Sequence, residues 1–127
     1  MKLEHFEDIE GWQLARELTR EIYACTRIGA FSRDFGLSDQ IRRATGSVMH
    51  NIAEGFDAGS DAEFIRFLRY AQRSCTEVQS ELYVALDQNY IDEQRFKNLY
   101  ELAQRTHGKI GGFIKYLKTS SQKATSR

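Results

Sequence analysis

Apolar residues recur at helical spacing in four long runs of this chain, with polar residues filling the opposite faces. In the sharpest run Leu37, Ile41, Ala44, Val48 and Ile52 share one face of a helix turning roughly 100° per residue. Before it, Ile9, Trp12, Ala15, Thr19 and Ile22 form a stripe in which Trp12 is the expected core anchor. After it, Phe64, Leu68, Ala71, Cys75, Val78, Leu82 and Ala85 follow in alternating steps of four and three. Phe96, Leu99, Ala103, Thr106, Ile110, Phe113 and Leu117 step in the same way. Such stepping is the seam of helices packed at a shallow angle. With no proline to interrupt the runs, the pattern predicts an all-α protein, a single up-down-up-down antiparallel four-helix bundle over residues 1–127. Its helices are expected at about 8–27, 37–55, 61–88 and 92–118.

Breakers mark the connections. Gly29, Ser32, Asp34 and Gly36 make residues 28–36 read as a loop, with Phe31 and Phe35 tucked under the bundle end. Gly55 and Gly59 bracket a second connection, and Ser60 to Glu63 has the S-x-x-E form of a capping box. Asn89 and Tyr90 end the third long run, and Asp92 is placed to cap the fourth helix. Gly108, Gly111 and Gly112 lie inside that helix at a cost of about 1 kcal/mol each, and two accounts stand: close approach by a neighbour that offsets the cost, or fraying of the helix there. Residues 119–127, TSSQKATSR, have too little apolar surface to bury and read as a disordered basic tail.

A second stripe on the helix from Leu37 is polar. Gln40, Arg43, Ser47, Asn51 and Glu54 lie roughly 100° from the core stripe, bordering it. Two readings stand here: a solvated flank, or a hydrogen-bond network of Arg43, Ser47, Asn51 and Glu54 at a helix–helix or subunit seam. Met49, Ala53 and Phe56 give the same helix more apolar surface than a lone bundle uses and are a candidate oligomer seam.

The run QIRRATGSVMHNIAEGF, with Trp12 and the later SDAEFIRFLRYAQRSCTEVQSELYVAL, resembles the bacterial four-helix-bundle family encoded in intervening sequences of large-subunit ribosomal RNA genes. Arg42, Arg43, Ala44, Ser47 and Asn51 to Gly55 match its central motif. The resemblance implies a ring-shaped homopentamer. It also implies kinship with accessory proteins of diversity-generating retroelements, which bind RNA and a reverse transcriptase.

Composition narrows the function. Eighteen Lys and Arg balance eighteen Asp and Glu, so the field of a dedicated nucleic-acid binder is missing and charge must act locally. Arg42, Arg66, Arg69, Arg73, Lys115 and Lys118 are the candidate nucleic-acid or partner surface, with Asp61, Glu63 and Glu77 near enough to neutralise part of it. Cys25 and Cys75 sit in helical patterns and read as packed, reduced thiols; with no membrane span and no signal region, a cytoplasmic protein is expected. His5, His50 and His107 are isolated, the Glu-x-x-His pattern of di-iron bundles is missing, and no phosphate loop occurs. No catalytic, metal or cofactor residue, and no small-molecule substrate, is therefore assigned. The leading reading is a non-enzymatic homo-oligomeric scaffold with a protein or RNA partner. The alternative is an RNA-binding accessory protein acting with a nucleic-acid enzyme; a hydrolase or metal enzyme hidden in the bundle ranks behind both.

Overall fold

Three side chains start the three later long helices by accepting backbone N–H groups that a helix N-terminus leaves free. Asp34 Oδ1 accepts from Leu37 N–H at 3.1 Å, Ser60 Oγ from Glu63 at 3.2 Å, and Asp92 Oδ1 from Arg95 at 2.7 Å. The computed structural model describes residues 3–125, with side chains to residue 120. After a 3-10 turn at Phe6–Asp8 come α1 (Glu10–Thr26), α2 (Gly29–Arg33), α3 (Phe35–Phe56), α4 (Asp61–Asp87) and α5 (Glu93–Thr125). No strand occurs among the described residues. Four long helices pack as a bundle: α3 lies against α1 and α4, and α5 against α4 and α1.

The core stripes of α3 and α4 are buried at every position the spacing selects. On α1 the inward residue is Leu18, while Thr19 is half-buried and donates its hydroxyl to Ala15 O at 2.8 Å. Trp12 is half-buried at the margin, edge-on to Phe6 at 5.1 Å. On α5, Leu102 and Ile114 are buried where Phe96 and Phe113 are only half-buried. Two clusters share the interior. One, near α2, centres on Leu18, Ile22, Phe31, Ile41, Leu82 and Leu99; the other on Ala15, Val48, Ile52, Leu68, Cys75 and Ile110.

Three expectations are corrected. The loop at residues 28–36 contains α2, entered through Gly29 at a φ of +56°, a left-handed value that glycine adopts freely. Phe31 from α2 is fully buried and stacked on Tyr90 at 5.2 Å, whereas Phe35 stays 80 % exposed at the first position of α3. Tyr90 then donates its hydroxyl to Asp34 Oδ2 at 2.9 Å, so one carboxylate caps α3 and holds the α4–α5 connection. At the other end α5 continues through Thr125, past the predicted end at residue 118. Residues 119–125 contain no glycine or proline, and extending an existing helix costs far less than starting one; residues 126–127 lie outside the described ones. Finally, a Cβ on Gly108 or Gly112 would meet nothing within 4 Å, and on Gly111 only the Gln72 side-chain amide at 3.1 Å. Close approach therefore does not explain the first two glycines.

Candidate functional site

The polar stripe of α3 divides. Asn51 Nδ2 donates to Ser47 O at 2.9 Å and to Ser47 Oγ at 3.0 Å, and Ser74 on α4 donates to the same Oγ at 2.9 Å. Ser47, Asn51 and Ser74 thus tie α3 to α4 by a half-buried network. Ser74 carried no periodic signal that paired it with α3; only the packing brings it there. Arg43 is not in the network. It pairs back to Asp39 at 2.8 Å, with the two side chains 79 % and 64 % exposed. Glu54 is exposed and makes no side-chain hydrogen bond or ion pair among the described residues. Both lie farther round α3 toward solvent than Asn51 does. Asn51→Ala is therefore expected to lower stability by about 1 kcal/mol through the loss of these bonds. Glu54→Ala should stay within about 0.5 kcal/mol of the parent. Urea denaturation of the two variants checks both values.

Met49 and Phe56 are half-buried and pack on the chain's own interior, as do Leu3, Phe6 and Trp12; Phe56 meets Phe64 edge-on at 6.2 Å. Ala53, beside them on α3, is half-buried. Part of the apolar surplus read as an oligomer seam is thus used within the chain, and the rest of it stays partly exposed. Uncovered apolar surface lies elsewhere. Tyr83 is 50 % exposed and Val84 45 %, and Tyr83, Phe96 and Tyr100 form a ring cluster across α4 and α5 with centroids 4.8–5.8 Å apart.

The basic residues do not form one surface. Arg42 turns to α1, where Nε donates to Thr26 Oγ1 at 2.8 Å and the guanidinium lies over the Tyr23 ring at 4.6 Å. On α4, Arg66 pairs with Glu63 at 2.8 Å and reaches over Phe67 and Tyr70, and Arg73 covers Tyr70 from the next turn at 5.8 Å. Arg66, Tyr70 and Arg73 make a short outward strip in which cation and ring alternate. Arg69 is exposed beside it, and Lys115 and Lys118 are exposed on α5 without bonding to these arginines.

Glu81, which the spacing did not single out, is 6 % exposed on α4, and neither carboxylate oxygen has a hydrogen-bond partner among the described residues. Burial pushes its pKa up to about 8, and the like charge of Glu77 one turn back adds to the rise. Its one visible signal was position: an acid between Val78 and Leu82 at the edge of an apolar seam. Cys25 and Cys75 are free and buried; burial raises both thiols, that of Cys75 to about 12. Among the described residues no three His, Cys, Asp or Glu side chains converge as metal ligands, and no helix is long and apolar enough to cross a membrane.

Comparison with known proteins agrees with this architecture. Residues 7–112 match the family model described as 23S rRNA-intervening sequence protein. A crystal structure of a protein of unknown function from the S23 ribosomal protein family of Bacteroides thetaiotaomicron superposes with a TM-score of 0.75. The two sequences are 23 % identical, and the match covers 83 % of this chain and 95 % of that one. At that identity the likeness concerns the fold. No curated protein matches the chain.

Proposed function

We propose that this chain, which belongs to the 23S rRNA-intervening sequence protein family, works without catalysis, as a homo-oligomeric scaffold in the cytoplasm. In this reading the four long helices run up-down-up-down, and five protomers close a ring that presents one repeated surface to a partner. The observation that carries it is the exposed pair Tyr83 and Val84 on α4, with Tyr83 ringed by the half-buried Phe96 and Tyr100 of α5, an apolar surface that a lone bundle leaves partly to water. Aromatic residues are enriched where subunits meet, and the buried rings contribute most of the association free energy. Light scattering at micromolar concentration is expected to give a multiple of the 14.7 kDa protomer. Tyr83→Glu combined with Val84→Glu is expected to return the protomer mass with unchanged helicity. A parent protein that is monomeric throughout that range removes the proposal.

The Arg66, Tyr70 and Arg73 strip favours a second reading, in which the partner is RNA bound through phosphates and stacked bases. In a ring, symmetry repeats that strip even though the protomer is formally neutral. Affinity for a single-stranded RNA should then fall steeply as salt rises, and the Arg66/Arg69/Arg73→Gln triple variant should flatten the slope. Equal affinity in parent and triple variant at low salt, or none in the parent, leaves a protein as the partner.

A further inference from the structure

At the α2 end of the bundle, Cys25 of α1, Ile28, Asn89, Tyr90, Ile91 and Arg95 of α5 help to line an open cleft of about 630 Å³. That volume is in the range of small-molecule sites. Arg95 is the cation there, and it is half-buried. Among the described residues it joins no ion pair, and its Nε is shut off from solvent without a hydrogen-bond partner. The local acids form no ion pair with it, although Asp92 lines the same cleft and sets a competing negative charge there. Asp92 uses Oδ1 to cap the backbone N–H of Arg95, and Glu21, which like Arg95 acts electrostatically on the Cys25 thiol, forms no ion pair with the guanidinium. Gln94 and Asn98 are joined to each other at 2.9 Å. Among the described residues the other half-buried arginine, Arg42, shows what a satisfied one looks like here, with a hydroxyl on Nε and a ring under its guanidinium.

A guanidinium drawn partly out of water without a counter-charge is costly, and although its Nε is sealed off, an anion in the cleft that meets the terminal Nη groups offsets part of that cost. Its planar fork suits carboxylate and phosphate oxygens. We infer that this cleft binds a small molecule bearing an oxyanion, with Arg95 holding the anionic group and Ile28, Tyr90 and Ile91 flanking an apolar portion. Asn89 and the Cys25 thiol line the same space and set its polar edge.

The probes are inorganic phosphate and benzoate, each titrated into the full-length isotope-labelled chain at constant ionic strength, with chloride as the control. Saturable amide shifts confined to residues 25–31 and 89–98 are expected. Tighter saturation by benzoate identifies a carboxylate with an apolar body; tighter saturation by phosphate identifies a phosphoryl group. Arg95→Met should weaken binding at least tenfold, Arg95→Lys less, and Asp92→Asn, which keeps a capping side chain while removing a negative charge, should tighten it two- to fivefold. Shifts that never saturate, or that survive unchanged in Arg95→Met, overturn the inference. If Arg95→Met does not fold, failure of Asp92→Asn to tighten binding overturns it instead.

Discussion

Glu81→Gln is expected to raise the melting temperature at pH 8–9 by about 5–10 °C and to leave it nearly unchanged at pH 4.5. The native carboxyl of Glu81 is pushed up to about 8 from an ordinary 4.5, first by burial and then by Glu77. An acid whose native pKa is raised contributes stability that is complete below the unfolded value, is lost as pH climbs from about 4.5 to about 8, and is flat beyond. In that window the unfolded chain releases the proton and the folded chain keeps it. Above the window a charge sits where neither oxygen finds a donor among the described residues, a penalty on the order of 1–3 kcal/mol. For a domain of this size that is several degrees of melting temperature. The glutamine variant keeps the volume and never ionises, so its advantage over the parent should grow with pH. Glu81→Leu should gain more, because it also removes the orphaned polar atoms. Thermal melts of the three proteins at half-unit pH steps measure this. Parallel pH profiles for parent and Glu81→Gln would show that the carboxylate is solvated after all.

Gly55→Ala and Gly112→Ala are expected to move stability in opposite directions, although each puts the same methyl group into a helix. Alanine is favoured over glycine in a helix by about 1 kcal/mol, and Gly112→Ala should realise most of it because a Cβ there meets nothing within 4 Å. At Gly55 a Cβ would fall 2.8 Å from Phe64 Cδ1 and 2.9 Å from Phe67 Cβ. Neither neighbour yields easily. The Phe64 ring is 8 % exposed and set edge-on between Phe56 and Phe113 at 6.2 and 5.3 Å, while the Phe67 Cβ moves only with the α4 backbone. Overpacking of this kind costs about 1–3 kcal/mol, which outweighs the helix preference. A net loss of about 1–2 kcal/mol is expected for Gly55→Ala and more for Gly55→Val, with the branched side chain adding volume. Denaturant midpoints decide it: a gain at Gly55 equal to that at Gly112 would mean that α3 and α4 are not in contact there.

These two glycines also show how a sequence and a fold divide the information. The motif ending at Gly55 was legible as a motif, but the reason for its glycine was not, because Phe64 and Phe67 reach it from another helix. Conversely, Gly108 and Gly112 looked like contact points and are open. Asn51 and Ser47 were readable as partners because one helical turn joins them. Ser74 was not readable, since nothing within α4 distinguishes it from any other polar flank residue. Arg43 and Glu54 entered the expected network on the strength of spacing alone, and the short-range pair with Asp39 took Arg43 instead.

The sequence by itself determined the helical class, the inward faces of α3 and α4, and the caps at Ser60 and Asp92, because helical period and capping act over at most a few residues. Tertiary structure alone decided which surplus is left over once the helices meet. Met49 and Phe56 on the flank of α3 pack on the interior of the same chain, while Tyr83 and Val84 are left in solvent. Among the described residues Glu81 is enclosed with no donor and only the like-charged Glu77 at hand, and Arg95 is half-enclosed without a counter-ion. Burial and pairing across helices are sums over side chains far apart in the chain, and no local pattern carries them.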